Sequence, residues 1–207
     1  MGETPARRAG ERLYAIVLAG GASTRFGSPK QLVRLAGRPL LHTVVTRTAE
    51  VTGNALIVVL GAGAGELAPL LKHSPGSVVI NRQWREGLAS SIRAGVARLP
   101  ATCGAVLLVL ADQAAVTSSD LRRLAGTWRR RPHCIVAALY AGTTGAPAIF
   151  PRSTFTELAA LRGDSGARSI LRRSADRLIR VPMPAAELDL DTPEDLLQLE
   201  APKTDVP

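Results

Sequence analysis

Short apolar runs at residues 15–18, 54–60, 77–80 and 105–110 alternate with turns and helix-like segments through the first half of the chain. A-I-V-L and A-V-L-L-V-L are apolar at every position, not at every second one, which suits strands buried on both faces. Strand, turn and helix repeated in this way predict a Rossmann-like three-layer α/β/α fold with a mainly parallel sheet. Further strands are expected at 133–139, 146–150 and 178–181, with helices at 42–51, leading on from 84–92 to about 99, and opened by 163–168 through 173. The 133–139 and 146–150 pair reads as a hairpin at the sheet edge, turning at 142–145, where Pro147 is tolerated.

The core of such a sheet must be aliphatic, since 46% of the chain is apolar and only 3% aromatic. Its 207 residues form one domain, placed at 13–200, with 1–12 a disordered lead and 201–207 a flexible tail. No run approaches membrane-spanning length, and the basic start lacks the apolar stretch of a signal peptide, so the expected location is cytoplasmic with no membrane partner. The net charge of +9 comes almost wholly from arginine and favours anionic ligands. Nucleic acid is not the expected partner, because the arginines are dispersed and stacking aromatics are scarce. Arg129, Arg130 and Arg131 read as a solvated helix end. Cys103 and Cys134 lack metal spacing and adjoin strands, as reduced core thiols do.

The first strand runs into Gly20-Gly21-Ala22-Ser23-Thr24-Arg25, closes at Gly27 and presents Lys30 past a proline. Glycines let backbone N–H groups approach an anion, and Arg25 and Lys30 add charge that can hold phosphate oxygens. A Walker loop is excluded, because Ser28 follows Gly27, and G-x-G-x-x-G does not fit. The glycines at 61, 63 and 65 read as a turn and not a second nucleotide site, because Glu66 stands where a third fingerprint glycine would fall. Ser90 and Ser91 read by spacing alone as helix caps. Asp112 follows the 105–110 strand, where ligands bind in open α/β sheets. The next helix finds its cap at Ser118-Ser119-Asp120, which leaves Asp112 free to coordinate a metal. Gly163-Asp164-Ser165-Gly166 mimics a serine-protease nucleophile loop, but the strand–helix alternation and the absence of a G-x-S-x-G elbow exclude that chemistry.

L-A-G-G-x-S-x-R-F-G-x-P-K, residues 18–30, closely resembles the signature of MobA-like nucleotidyltransferases. The resemblance covers nearly the whole folded chain and implies the nucleotide-diphospho-sugar transferase type of sheet. It makes Leu18, Ala19, Gly20, Gly21, Ser23, Arg25, Lys30, Asn81, Gly87, Ser90, Ser91 and Asp112 nucleotide-binding, with Arg25, Lys30 and Asp112 catalytic. G-L-x-S-S-I-x-x-G at 87–95 resembles the base and ribose segment, which replaces the cap reading of the two serines. L-A-D-Q at 110–113 resembles the metal-binding element. Gly145 and Pro147 of G-A-P-A-I-F, with Asp164 and Arg168 of G-D-S-G-A-R, resemble the acceptor side. D-L-D-T-P-E-D-L at 189–196 resembles the closing motif, in which Asp191 either joins Asp112 on the metal or serves the entry of a final helix capped by Thr192.

The implied reaction is nucleotidyl transfer with Mg²⁺, or Mn²⁺ in its place, as cofactor. A phosphate-monoester acceptor is already ionised near neutral pH and needs no general base, which agrees with the lack of motif histidines. The serine pair, G-D-x-G-A-R and the acidic closing motif resemble the cytidylyltransferase branch, so CTP and molybdopterin cofactor are the implied substrates. Ala19-Gly20-Gly21 is closer to the guanylyltransferase form, and Ala114 stands where relatives have proline. GTP, another phosphorylated acceptor, and a non-catalytic cofactor carrier therefore stay open. A molybdoenzyme or its chaperone would receive the product.

Overall fold

The structure, a computed structural model, describes residues 12–21, 29–164, 166–188, 190 and 195. Ser23, Arg25, Asp191 and Thr192 lie outside them, as do the lead before Arg12 and the tail at 201–207. Arg12, assigned to the lead from sequence, is the first residue of a strand.

The strands and helices follow in chain order. β1 (Arg12–Ala19) is succeeded by the two-residue strands β2 (Arg34–Leu35) and β3 (Arg38–Pro39), which pair with each other. Then come α1 (Leu40–Thr52), β4 (Leu56–Leu60), α2 (Ala64–Leu67), β5 (Ser77–Ile80), α3 (Leu88–Val96) and β6 (Cys103–Leu110). α4 (Ser118–Arg130), β7 (Ile135–Tyr140), β8 (Thr143–Pro151), α5 (Phe155–Ala159), α6 (Arg168–Arg173) and β9 (Leu178–Pro182) complete the described elements.

Seven strands form one sheet in the order β5-β4-β1-β6-β8-β7-β9. β1 with β4, β1 with β6, β4 with β5 and β7 with β9 are parallel, and only β8 runs against its neighbours. The sheet is therefore mainly parallel, with helices on both faces. β4 is buried at every residue, as its unbroken L-I-V-V-L demands. Alternate residues of the central strands feed two cores. Leu41, Leu107 and Leu124 belong to the core on the α1–α4 side, and Ile16, Ile92 and Phe150 to the core on the α3–α6 side.

The hairpin of β7 and β8 forms, but it is inserted beside β6 instead of lying at the edge, and β9 and β5 are the outermost strands. Pro147 is accommodated because the pairing jumps from Ala137↔Ala148 to Ala138↔Gly145, a bulge in which Ala146 and Pro147 have no ladder partner. The connecting turn is Ala141-Gly142, both at positive φ, so 143–145 belong to β8 and not to the turn. α4 is capped one residue earlier than expected: Thr117 accepts from the Asp120 N–H, and Asp120 accepts from the Thr117 N–H. Arg129, Arg130 and Arg131 are exposed at its end. Cys103 is buried, whereas Cys134 is only half-buried and is not a core thiol; both are free. Among the described residues no helix is long and apolar enough to cross a membrane.

Candidate active site

Every strand of the large sheet except β8 points its carboxyl end to one edge, and the residues singled out from sequence gather there. Ala111 N–H donates to Leu18 C=O at 3.1 Å, so β1 and β6 leave the sheet side by side. Gly20 follows the first strand and Asp112 the second. Lys30, at the far end of the loop, reaches back and donates its Nζ to Asp112 Oδ2 at 2.7 Å. The pair is partly shielded, with side chains 12% and 25% exposed. Asp112 Oδ1 is buried and has no hydrogen-bond partner among the described residues.

A buried carboxylate oxygen without a donor carries uncompensated desolvation. A divalent cation is a partner that would balance it, so the residues present fit the metal that the motif implies. No group of three or more His, Cys, Asp or Glu stands together among the described residues. The closing motif nevertheless reaches this point, because Leu190 N–H donates to Asp112 C=O at 3.0 Å.

The serines at 90 and 91 are not caps. Gly87 holds the N-cap position of α3, and both serines are buried in the first turn. Asn81, buried at the end of β5, donates Nδ2 to Ser90 Oγ at 2.8 Å and to Ser91 Oγ at 3.1 Å. Ser90 Oγ in turn donates to Gly87 C=O at 2.8 Å. Ser91 lies against Gly20, where an added Cβ would meet its Oγ at 2.7 Å. Asn81, Gly87, Ser90, Ser91 and Gly20 thus form one connected wall. Gly87 must be glycine on two counts: its φ is +94°, and a Cβ would strike the Asp164 carboxylate.

On the other side of α3 a cavity of about 430 Å³ is walled by Leu18, Leu110, Tyr140, Gly145, Asp164 and Arg168, among others. Three of the four acceptor-side residues therefore share a hollow with the end of β1. Pro147 does not line it. Its bulge is fixed instead by Gln113, which donates Nε2 to Ala146 C=O at 2.9 Å and to Ala186 C=O at 3.0 Å.

Sequence reasoning assigned Gln113 no role, although it stands next to Asp112 in a quoted motif. It also read Gly61 only as a turn. Gly61 packs onto the opening of the glycine loop, where an added Cβ would lie 2.6 Å from Gly20 O and 2.7 Å from Trp84 Cβ. Its place after an apolar strand, parallel to the one that feeds Gly20, was the available signal. Arg47 of α1 also went unassigned; it donates to Ala114 and Val116 carbonyls at 2.7 and 3.0 Å and holds the segment after Asp112.

Comparison with known proteins agrees with this geometry. The chain is 29% identical to nicotine blue oxidoreductase of Paenarthrobacter nicotinovorans over 89% of its own length and 94% of that protein's. The bifunctional protein GlmU of Sorangium cellulosum is 31% identical over 62% of this chain, which spans only 29% of GlmU. The crystal structure of Rv0371c from Mycobacterium tuberculosis superposes with a TM-score of 0.79 at 28% identity, covering 91% of this chain and 97% of that one. Rv0371c has also been solved in complex with manganese. The model of the MobA-like NTP transferase domain matches residues 15–178. A match that runs from β1 to the first residue of β9, instead of resting on the glycine loop alone, decides the matter: this chain belongs to the MobA-like NTP transferase domain family.

Proposed function

We propose that the protein joins the nucleoside monophosphate of CTP to molybdopterin cofactor and releases pyrophosphate. The observation that carries this reading is the Lys30–Asp112 contact at the ends of β1 and β6, with the second Asp112 oxygen buried and unmatched. In this reaction an acceptor phosphate oxygen bonds to the α-phosphorus as the bond to the departing pyrophosphate breaks. The acceptor is already an anion, so the chain has to position and neutralise more than it has to move protons.

The residues divide that work. Gly20 and Gly21 offer backbone donors at the loop entry, and Ser23 and Arg25 extend the cradle along the triphosphate. Lys30 is a cation that can pass from Asp112 to phosphate oxygens. Asn81, Gly87, Ser90 and Ser91 orient base and ribose, with the Asn81 amide fixing both hydroxyls. Gly145, Pro147, Asp164 and Arg168 serve the acceptor, and Arg168 supplies a fork for its phosphate. Asp112 Oδ1, with Asp191 as a second ligand, would hold Mg²⁺ or Mn²⁺, which when bound neutralises phosphate charge and polarises the attacked phosphorus. The manganese complex of Rv0371c supports a divalent ion on this fold.

GTP is a second reading for the base, favoured by the Ala19-Gly20-Gly21 opening. Oxidation–reduction is a second reading for the chemistry, favoured by the similarity to nicotine blue oxidoreductase. A thermal-shift panel of CTP, GTP, ATP and UTP with Mg²⁺, run beside NADH and NADPH, separates them, since a ligand of the folded state raises Tm by mass action. CTP should give the largest shift, and incubation with molybdopterin should then yield a cytosine dinucleotide by mass. A response to NADH or NADPH alone would overturn the transferase reading. CTP binding without any dinucleotide would leave a cofactor carrier.

A further inference from the structure

Several arginines among the described residues have partners. Arg93 pairs with Glu86, Arg122 with Glu50 and Arg123 with Asp120, while Arg47 and Arg152 hold main-chain carbonyls. Arg168, Arg172 and Arg180 are set apart by standing together. They converge on a second cavity, of about 450 Å³, whose wall includes Thr143 and Thr144 and no acidic residue. All three are exposed, and none makes an ion pair or hydrogen bond within the described residues.

Two ordinary explanations fall short. Cations complement the carboxyl end of a helix, which accounts for Arg172 but not for Arg168, the first residue of α6. Charge on an outer strand discourages unwanted pairing, which accounts for Arg180 alone on β9. Neither explains why a helix and a strand place three arginines around one hollow that Thr143 and Thr144 also line. Like charges gathered this way repel until an anion joins them, and guanidinium forks with hydroxyl donors match phosphate or carboxylate oxygens.

The hollow is not isolated. Arg168, Leu171 and Arg172 line both it and the acceptor cavity, so one elongated molecule can occupy the two together. We propose that the acceptor carries a second anionic group, remote from its reacting phosphate, and that Arg172 and Arg180 hold it with Thr143 and Thr144. The proposal rests on the nucleotidyl-transfer reading of the adjoining cavity.

The test is calorimetric titration of α,ω-alkanediol bisphosphates, from propane to octane, against alkyl monophosphates of matched length. At one chain length the bisphosphate should bind about tenfold tighter or more than its monophosphate. The Arg172→Ala/Arg180→Ala double variant, altered only at exposed side chains, should bring both ligands to the same affinity. No bisphosphate advantage at any length, or an advantage that survives the double variant, overturns the proposal. CTP and GTP titrated against wild-type tryptophan fluorescence report the nucleotide end separately. Nucleotide binding without a bisphosphate advantage sinks the second anion site alone, whereas no nucleotide binding sinks the transferase reading beneath it.

Discussion

The two oxygens of Asp112 have different surroundings: Lys30 satisfies one, and the other is buried with nothing among the described residues to accept from. If the unmatched oxygen takes up a divalent ion during turnover, Asp112→Asn removes chemistry without removing fold. A partly exposed ion pair contributes below about 1 kcal/mol, so Tm should stay nearly constant while most pyrophosphate release is lost. Near-normal release from the variant would refute the metal role. Lys30→Ala should weaken triphosphate affinity more in salt-free buffer than at elevated ionic strength, because mobile ions screen a partly exposed charge. Equal losses in both buffers would assign Lys30 to structure. The meeting of Lys30 and Asp112 could be anticipated because one follows the glycine loop after the first apolar run and the other directly follows the 105–110 run, while their roles stay with proposal. Gly61 and Gln113 were not, because what they do depends on the backbone of Gly20 and Ala146, which one-dimensional spacing does not bring near. Ser23, Arg25 and Asp191 lie outside the described residues, so their assignment stays with sequence and proposal.

At the scale of elements, the apolar runs located the strands, and the order of those strands was less accessible. Pro147 argued locally for an edge, since it has no N–H to give. A bulge answers that need inside the sheet instead, and only the partner strand reveals it. The turn before it was displaced for a similar reason. Glycine density pointed to 142–145, yet the chain reverses at Ala141-Gly142 with φ of 45° and 70°. Two-residue hairpin loops of positive φ favour Asn or Gly at their first position, and an alanine there is strained by about 1–2 kcal/mol. Ala141→Asn should therefore stabilise the protein, raising Tm by about 2–4 °C. An unchanged or lower Tm would show that neighbours of the turn already offset the strain. The start of α4 shows the same limit on reading by composition. Three polar residues in a row were acceptable caps, and the reciprocal bonds of Thr117 and Asp120 decide among them.

Over the whole molecule, one sheet separates two cores and joins them through shared strands. Leu124 is fully buried in one core and Phe150 in the other. Leu124→Ala should cost about 2–5 kcal/mol and Phe150→Ala about 3–5 kcal/mol. Each should lower a single urea midpoint followed by both circular dichroism and tryptophan fluorescence. Separate midpoints for the two signals would show that the cores unfold independently. The fold class was readable because an aliphatic, alanine-rich chain with repeated buried runs has few ways to cover them. The hairpin that reverses β8 was readable, but its place inside the sheet beside β6 was not, and that place shapes what this scaffold can become. By turning one strand around, the chain carries the tip of a short hairpin to the same rim as Gly20 and Asp112, while sharing no backbone segment with either. If the adjoining hollow takes the acceptor, as proposed, Ala141 and Gly142 form a cartridge whose exchange retunes which acceptor is chosen without altering Gly20 or Asp112.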